Sequence, residues 1–153
     1  MVCHPQGVVA PARALTAATL GAWLLKATGS APSTRTHVRA GFTGVDTWCV
    51  QPTYRTDLVE AGQPVLLWVS GNEREHPAGI YASGRTTGPA QAGLVPVALS
   101  PVAHPLLRTQ LTGHPDLADM EVLRVPAGSN PSFVTPEQLR VLVELRPELS
   151  PSA

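Results

Sequence analysis

The chain has 153 residues, 43% of them hydrophobic and 14% charged, which is enough to build one domain with its own core. Its 13 glycines and 16 prolines favour many turns and short elements over long helices. The 11 basic and 11 acidic residues leave a formal net charge of zero, which argues against a protein that coats nucleic acid through its phosphates. Any contact with nucleic acid is therefore expected from a pocket or a local patch.

The sequence predicts a single domain with an extension at each end. Residues 1–20 are rich in Ala, Pro and Val and lack a period, so they are expected to form a disordered N-terminal extension. The domain is predicted over residues 21–147, and a tail over residues 148–153. The apolar stretch within residues 14–27 has too little positive charge before it for a signal peptide and is too short to span a membrane. No membrane association is expected.

The first half of the predicted domain indicates two strands and a short helix. Strands are expected over residues 21–27 (GAWLLKA) and 47–51 (TWCVQ), which are short, apolar and bounded by turn residues or proline. Asp57 as an N-cap and Gly62 as a terminator then predict a short helix over residues 57–62.

The second half indicates four more strands and two helices. These strands are expected over residues 64–70, 79–85, 95–100 and 121–125. The first of them is continuously apolar, as in a central strand, and the second follows as its hairpin partner. One helix is expected over residues 104–112, and another after Thr135, where a capping box begins. The elements together predict an α+β fold, a β-barrel of about five to six strands flanked by short helices.

No arrangement of residues in the sequence is typical of an enzyme. A phosphate-binding glycine loop and a GxSxG nucleophile motif are both missing. Four of the five histidines directly precede proline, which favours loop positions over metal coordination. Cys3 and Cys49 are too few for a disulfide framework, so we expect them to be inert in a reducing, cytoplasmic protein. Catalytic residues, metals and cofactors are therefore not expected.

The three tryptophans, Trp23, Trp48 and Trp68, each lie in a predicted strand of a chain that is only 5% aromatic. They are interpreted in two ways: as core residues, or as the walls of a slot where strands converge in a barrel. A slot of this kind holds a flat nucleobase by stacking, which is worth about 1–3 kcal/mol per base.

Four segments resemble the EVE-domain family in their order along the chain. They are WLLK at 23–26, TWCV at 47–50, VLLWVSG at 65–71 and AGIYASG at 78–84. The stretch from PLLRTQL to PEQLRVL is similar to the family's ending, so the resemblance covers roughly residues 21–145. VLLWVSG followed by AGIYASG is its most specific part. One departure is Gln63, which stands where the family has an acidic residue before the central strand.

The resemblance implies a PUA-like fold related to the YTH and ASCH domains, and a function as a reader of modified bases in DNA or RNA. The base would be flipped out of its strand into an aromatic pocket without being chemically altered. The implied pocket residues are Trp23, Lys26, Trp48, Val50, Trp68, Ser70 and Asn130. Arg55 and Arg124 are expected to contact the nucleic-acid backbone, and the protein is expected to act as a monomer.

Two alternatives to a base reader stay open. One is a hydrolase of the ASCH type acting on a modified nucleoside, which requires Lys26, the only lysine of the chain, beside a buried carboxylate and a threonine. Glu60 and Glu121 are the candidate carboxylates. The other is a protein-interaction module whose pocket is vestigial.

Overall fold

The computed structural model describes residues 15–71 and 73–150, and within them the predicted α+β class is confirmed. A curled, mixed sheet of six strands forms a half-barrel with four short α-helices around it. The strands are β1 (Ala22–Thr28), β2 (Thr47–Cys49), β3 (Pro64–Ser70), β4 (Gly79–Thr86), β5 (Leu94–Leu107) and β6 (Ser132–Val134). The helices are α1 (Pro32–Arg39), α2 (Arg108–Thr112), α3 (Glu121–Arg124) and α4 (Pro136–Leu145).

The strands run in the order β2-β5-β4-β3-β1-β6 across the sheet. β1 and β3 are parallel, with Trp23 opposite Val65 and Lys26 opposite Trp68, and the other pairs are antiparallel. Because side chains alternate between the faces of a strand, Lys26 and Trp68 lie on one face of the sheet and Trp23 lies on the other.

A hydrophobic core covers each face of this sheet. The first contains Trp23, Trp48 and Leu67, and the second contains Trp68 and Leu24 together with residues from all the helices after β5. Strands covered on both faces read as continuous apolar runs, which explains why PVLLWVS shows no alternation. The expected span of this central strand, residues 64–70, is confirmed.

Two predicted elements are wrong in type or extent. The EVLRV segment is the helix α3 and not a strand, because its backbone donors bond locally: Leu123 N and Arg124 N donate to Met120 O, and Val125 N donates to Glu121 O. The helix predicted over residues 104–112 begins only at Arg108, since the residues before it continue β5.

Three further elements differ from expectation. The helical segment predicted over residues 57–62 lies earlier, as a 3₁₀ turn over Tyr54–Leu58 that is capped by Thr53. The sequence did not indicate α1, which is strongly polar, or β6, which has only three residues. The capping box at Thr135 is confirmed at the start of α4.

Packing continues beyond residues 21–147, the predicted span of the domain, at both ends. Leu15 is buried in the first core, and its N–H donates to the Tyr54 hydroxyl at 2.8 Å. Leu149, at the end of a 3₁₀ turn, is buried in the second core. The extension expected over residues 1–20 and the tail expected over 148–153 otherwise fall largely outside the described residues. None of the helices in the described part of the chain is long and apolar enough to cross a membrane.

Candidate ligand pocket beside Trp68

A cavity of about 210 Å³ opens at the C-terminal end of β3, on the face of the second core. Trp68, Ser70 and Gly71 form the side contributed by this strand and its end. Arg108 from α2 and Val122 from α3 lie among the facing residues. The cavity is therefore largely apolar, with a hydroxyl and a guanidinium as its polar side-chain groups.

Lys26 borders the same cavity through its hydrogen bond to one of the lining residues. Its Cα lies opposite that of Trp68 across the β1–β3 pair, so the two side chains share a face of the sheet. Lys26 Nζ donates to the carbonyl oxygen of Pro126 at 3.2 Å, and Pro126 lines the cavity. Burial lowers the pKa of Lys26, while the nearby Glu121 carboxylate opposes this shift. This hydrogen bond links the segment after α3 to β1 of the sheet.

Ser70 presents a hydroxyl that is already oriented. Ser70 Oγ donates to the carbonyl oxygen of Ala27 at 3.1 Å, which joins the ends of β1 and β3. A hydroxyl that donates its one proton keeps lone pairs for accepting a hydrogen bond. In this state Ser70 offers an acceptor to the cavity it lines.

The other two tryptophans do not reach this cavity. Trp23 is fully buried in the first core, where its Nε1 donates to Gln63 Oε1 at 2.7 Å. Trp48 belongs to the same core, and its Nε1 donates to the Lys26 carbonyl oxygen at 3.0 Å. The pocket walled by two tryptophans that was expected is not formed by the described residues, because the β1–β3 register puts Trp23 and Trp68 on opposite faces.

Val50 and Asn130, two further expected pocket residues, are buried and do not line the cavity. Val50 is buried in the first core. Asn130 is 4% exposed, accepts from Lys26 N at 3.2 Å and donates to the Cys49 carbonyl oxygen at 3.3 Å. Of the seven pocket residues expected from sequence, only Trp68 and Ser70 line the cavity, and Lys26 contacts the lining residue Pro126.

Arg55, expected to contact the nucleic-acid backbone, is 1% exposed, so it is unable to reach a phosphate in this conformation. Its Nη1 and Nη2 donate to the two carboxylate oxygens of Glu121, each at 2.8 Å, and Nη1 also donates to the Pro131 carbonyl oxygen at 3.0 Å. Ser132 Oγ donates to the same carboxylate at 2.7 Å. Burial alone would raise the pKa of Glu121, but the hydrogen bonds from Arg55 and Ser132 hold this pKa below its ordinary value.

Arg124 and Arg108 differ in their relation to the cavity. Arg124, the second expected backbone contact, forms an ion pair with Asp119 at 3.3 Å and is not among the residues that line the cavity. Arg108 lines the cavity and was not singled out from the sequence. Its position depends on where β5 ends, which no local pattern around it indicates.

The constellation required by the hydrolase alternative is not formed around Lys26 in the described residues. The ammonium donates to a backbone carbonyl, and the carboxylate of Glu121 is engaged by Arg55 and Ser132. Glu60 is exposed and lies just before β3, whereas the cavity lies at the other end of that strand. Gln63, the departure from the family pattern, also lies at that far end and supports Trp23.

A second polar cavity of about 330 Å³ lies against β4 and β5, with Arg85 and Glu148 among its lining residues. An open groove of about 470 Å³ lies beside α4, with Leu20, Leu139 and Val143 among its lining residues. Residues 15–71 and 73–150 contain no group of three or more His, Cys, Asp or Glu side chains that could hold a metal ion. Cys49 takes part in a disulfide, so the expectation that it is an inert thiol is wrong.

Comparison with known proteins identifies the fold alone. No family model and no curated protein matches the chain. A hypothetical protein from Leishmania major aligns with a TM-score of 0.67 at 14% identity, covering 84% of this chain and 96% of its own. An X-ray structure of a protein from Pseudomonas putida aligns with a TM-score of 0.64 at 20% identity, covering 82% of this chain and 99% of its own. The NMR structure of Rpa0253 from Rhodopseudomonas palustris aligns with a TM-score of 0.62 at 19% identity, covering 86% of this chain and 96% of its own. The chain is therefore similar, over nearly their whole length, to solved structures of the same architecture.

Proposed function

We propose that this protein binds one modified nucleobase of DNA or RNA in the cavity beside Trp68 and carries out no chemistry on it. The observation that carries the proposal is the cavity itself, a small apolar recess with an aromatic residue in its wall and a few polar groups at its edge. Binding sites for small organic ligands have this composition, in which apolar walls supply contact area and a few polar groups fix orientation.

The size of the cavity favours a single ring system over a larger ligand. Its volume of about 210 Å³ lies below the ~300–1,000 Å³ of pockets for drug-sized molecules. Trp68 is only 2% exposed, so it contributes part of a wall and not a free stacking platform. A base inserted here would leave its strand, which costs a few kcal/mol and selects bases that are easily extruded.

The polar groups at the cavity suit the edge of a base. Ser70 Oγ offers an acceptor, and the Lys26 ammonium lies close by on Pro126. Groups that hydrogen-bond a substrate edge discriminate strongly against analogues that leave them unpaired. We also propose that the protein acts as a monomer in the cytoplasm. The disulfide of Cys49 must then persist in that compartment.

The direct test is tryptophan fluorescence titration with single-stranded oligonucleotides that carry one 5-methylcytosine or one N6-methyladenine, beside unmodified strands. We expect a modified strand to quench the wild-type emission at lower concentration than its unmodified counterpart. Trp68→Phe should lose most of this quenching, because Trp68 is the only indole beside the cavity in the described residues. Trp48→Phe, which alters an indole of the other core, is the matched control.

A second variant keeps the test independent of the stability of the Trp68 variant. Ala78 lines the cavity and is half-buried, so Ala78→Leu should fill part of it while placing the added methyl groups at the rim. The variant should bind modified strands more weakly and keep the wild-type unfolding transition. Equal binding of modified and unmodified strands by the wild-type protein would refute the proposed function.

A further inference from the structure

We propose that the cavity takes its ligand as a phosphate-bearing nucleotide, with Arg108 as the residue that contacts the phosphate. This inference rests on the proposed function and deepens it, because it names which part of the ligand is held outside the cavity. It also assigns the backbone contact to a residue other than Arg55 and Arg124.

The charged groups around the cavity favour an anion. Arg108 is the only charged side chain among the residues that line it. The Glu121 carboxylate acts electrostatically on Lys26, and its charge is compensated by the guanidinium of Arg55 in a bidentate pair. Lys26 contributes a second positive charge through its contact with Pro126. Two positive charges therefore lie at the cavity, and none of the residues that line it is acidic.

The Arg108 side chain is available to a ligand. It is exposed, and it makes no hydrogen bond or ion pair with another side chain in the described part of the protein. Three other exposed arginines are paired: Arg39 with Glu75, Arg124 with Asp119, and Arg140 with Glu137. Arg74 is exposed as well, but it does not line the cavity. Arg108 thus retains its full set of guanidinium donors for a ligand.

The backbone of Arg108 is held at the rim of the cavity by hydrogen bonding. Its N–H donates to the carbonyl oxygen of Ala78 at 2.8 Å, and the preceding Leu107 is paired with Gly79 at the end of β5. Ala78 also lines the cavity. The guanidinium therefore extends from a fixed backbone position beside the opening of the cavity. Its planar arrangement of N–H donors matches the geometry of a phosphate.

The ligand that fits this arrangement has two parts. The base occupies the apolar recess beside Trp68, and the phosphate attached through its sugar stays in solvent at the rim, where Arg108 reaches it. A free nucleotide and a nucleotide within a strand share this chemistry. A nucleoside has the base and the sugar but nothing for Arg108 to hold.

The experiment compares binding of 5-methyl-2′-deoxycytidine with that of its 5′-monophosphate and its 3′-monophosphate by isothermal titration calorimetry. The same three forms of N6-methyl-2′-deoxyadenosine form a second series, and a trinucleotide with the modified base in its centre represents the strand. The proteins are the wild type, Arg108→Gln, and Arg140→Gln as a matched control that removes an arginine from α4.

We expect at least one monophosphate to bind the wild type about tenfold more tightly than its nucleoside, since one charge-assisted contact is worth roughly this factor. The ratio should fall towards one in Arg108→Gln, stay unchanged in Arg140→Gln, and shrink as salt is raised. A trinucleotide that binds no better than the monophosphate would assign the site to free nucleotides, and a tighter one to strands.

Two different results would overturn the inference. If nucleosides bind as tightly as monophosphates, or if the ratio survives in Arg108→Gln, the role of Arg108 is wrong while the base-binding function stands. If none of the nucleosides, nucleotides or strands binds the wild type, the proposed function itself is wrong.

Discussion

Arg55, Glu121 and Ser132 form a buried network that joins three segments far apart in the sequence. Arg55 lies in the turn after β2, Glu121 begins α3 and Ser132 begins β6. The guanidinium also lies 5.2 Å from the ring centroid of Phe133, a distance typical of a cation–π contact. Because α3 carries Val122 into the wall of the cavity, the network positions one side of the candidate site.

Removing one member of the buried Arg55–Glu121 ion pair should strongly destabilise the protein. Arg55→Met leaves the Glu121 carboxylate buried without its main partner, and loss of one partner of a buried pair costs about 3–5 kcal/mol. Urea unfolding of the single variant and of Arg55→Met/Glu121→Met measures this cost. We expect the double variant to be more stable than Arg55→Met, since it removes the unpaired charge as well. A single variant within about 1 kcal/mol of the wild type would contradict this role.

At the scale of elements, the glycines at the two ends of the GIYASG segment lie where the backbone of β5 leaves no room for a side chain on β4. A Cβ built on Gly84 would lie 1.8 Å from the Ala98 carbonyl oxygen, and one on Gly79 would lie 2.6 Å from that of Leu106. Neither glycine is needed for an unusual backbone angle. Both are needed because a backbone atom of β5 occupies the space of a side chain, which gives the motif a physical reason.

Gly84→Ala should therefore destabilise the sheet by at least the ~1–3 kcal/mol typical of overpacking, because a backbone oxygen cannot rotate away as a side chain can. Gly88→Ala is the matched control, since its nearest atom would be a proline carbon at 3.5 Å. Denaturant unfolding of both variants gives the comparison, with Gly88→Ala expected near the wild type. Equal stability of the two variants would show that β5 moves aside at little cost.

The helices show how far local patterns predict elements in this chain. α4 is predicted correctly because its signal is contained in four residues: Thr135 Oγ1 accepts from Gln138 N at 3.1 Å, and Gln138 Oε1 accepts from Thr135 N at 2.9 Å. α3 is predicted as a strand because Val122 and Val125 have high β-propensity. Its helical form is decided by tertiary contacts, namely Glu121 reaching Arg55 and Val122 entering the second core.

At the scale of the whole molecule, both ends of the described chain close the two cores. Leu15 completes the first core and Leu149 completes the second, although both lie outside residues 21–147, the domain predicted from the sequence. A chain of residues 21–147 should thus be less stable than one of residues 15–150, since each buried leucine is worth about 1.5–3 kcal/mol. Guanidinium unfolding of the two chains measures the difference.

The control for this truncation keeps the length constant. Leu15→Ala combined with Leu149→Ala in the chain of residues 15–150 should reproduce most of the loss, because these are the buried side chains that the shorter chain lacks. If the chain of residues 21–147 proves as stable as the longer one, the packing of these two leucines contributes nothing measurable to the domain.

The amino-acid sequence by itself determined the fold class, the span of β3, the start of α4 and the segments that hold Lys26, Trp68 and Ser70. These features depend on apolar runs and caps, which act over a few residues. Only the tertiary structure decided which of the three tryptophans meets a cavity. Trp23 and Lys26 are three residues apart in β1 and so face opposite ways, and pairing of Lys26 with Trp68 placed Trp68 beside the recess. That register depends on contacts between strands some 40 residues apart, which is also why the end of β5 brings Arg108, and not Arg55, to the rim.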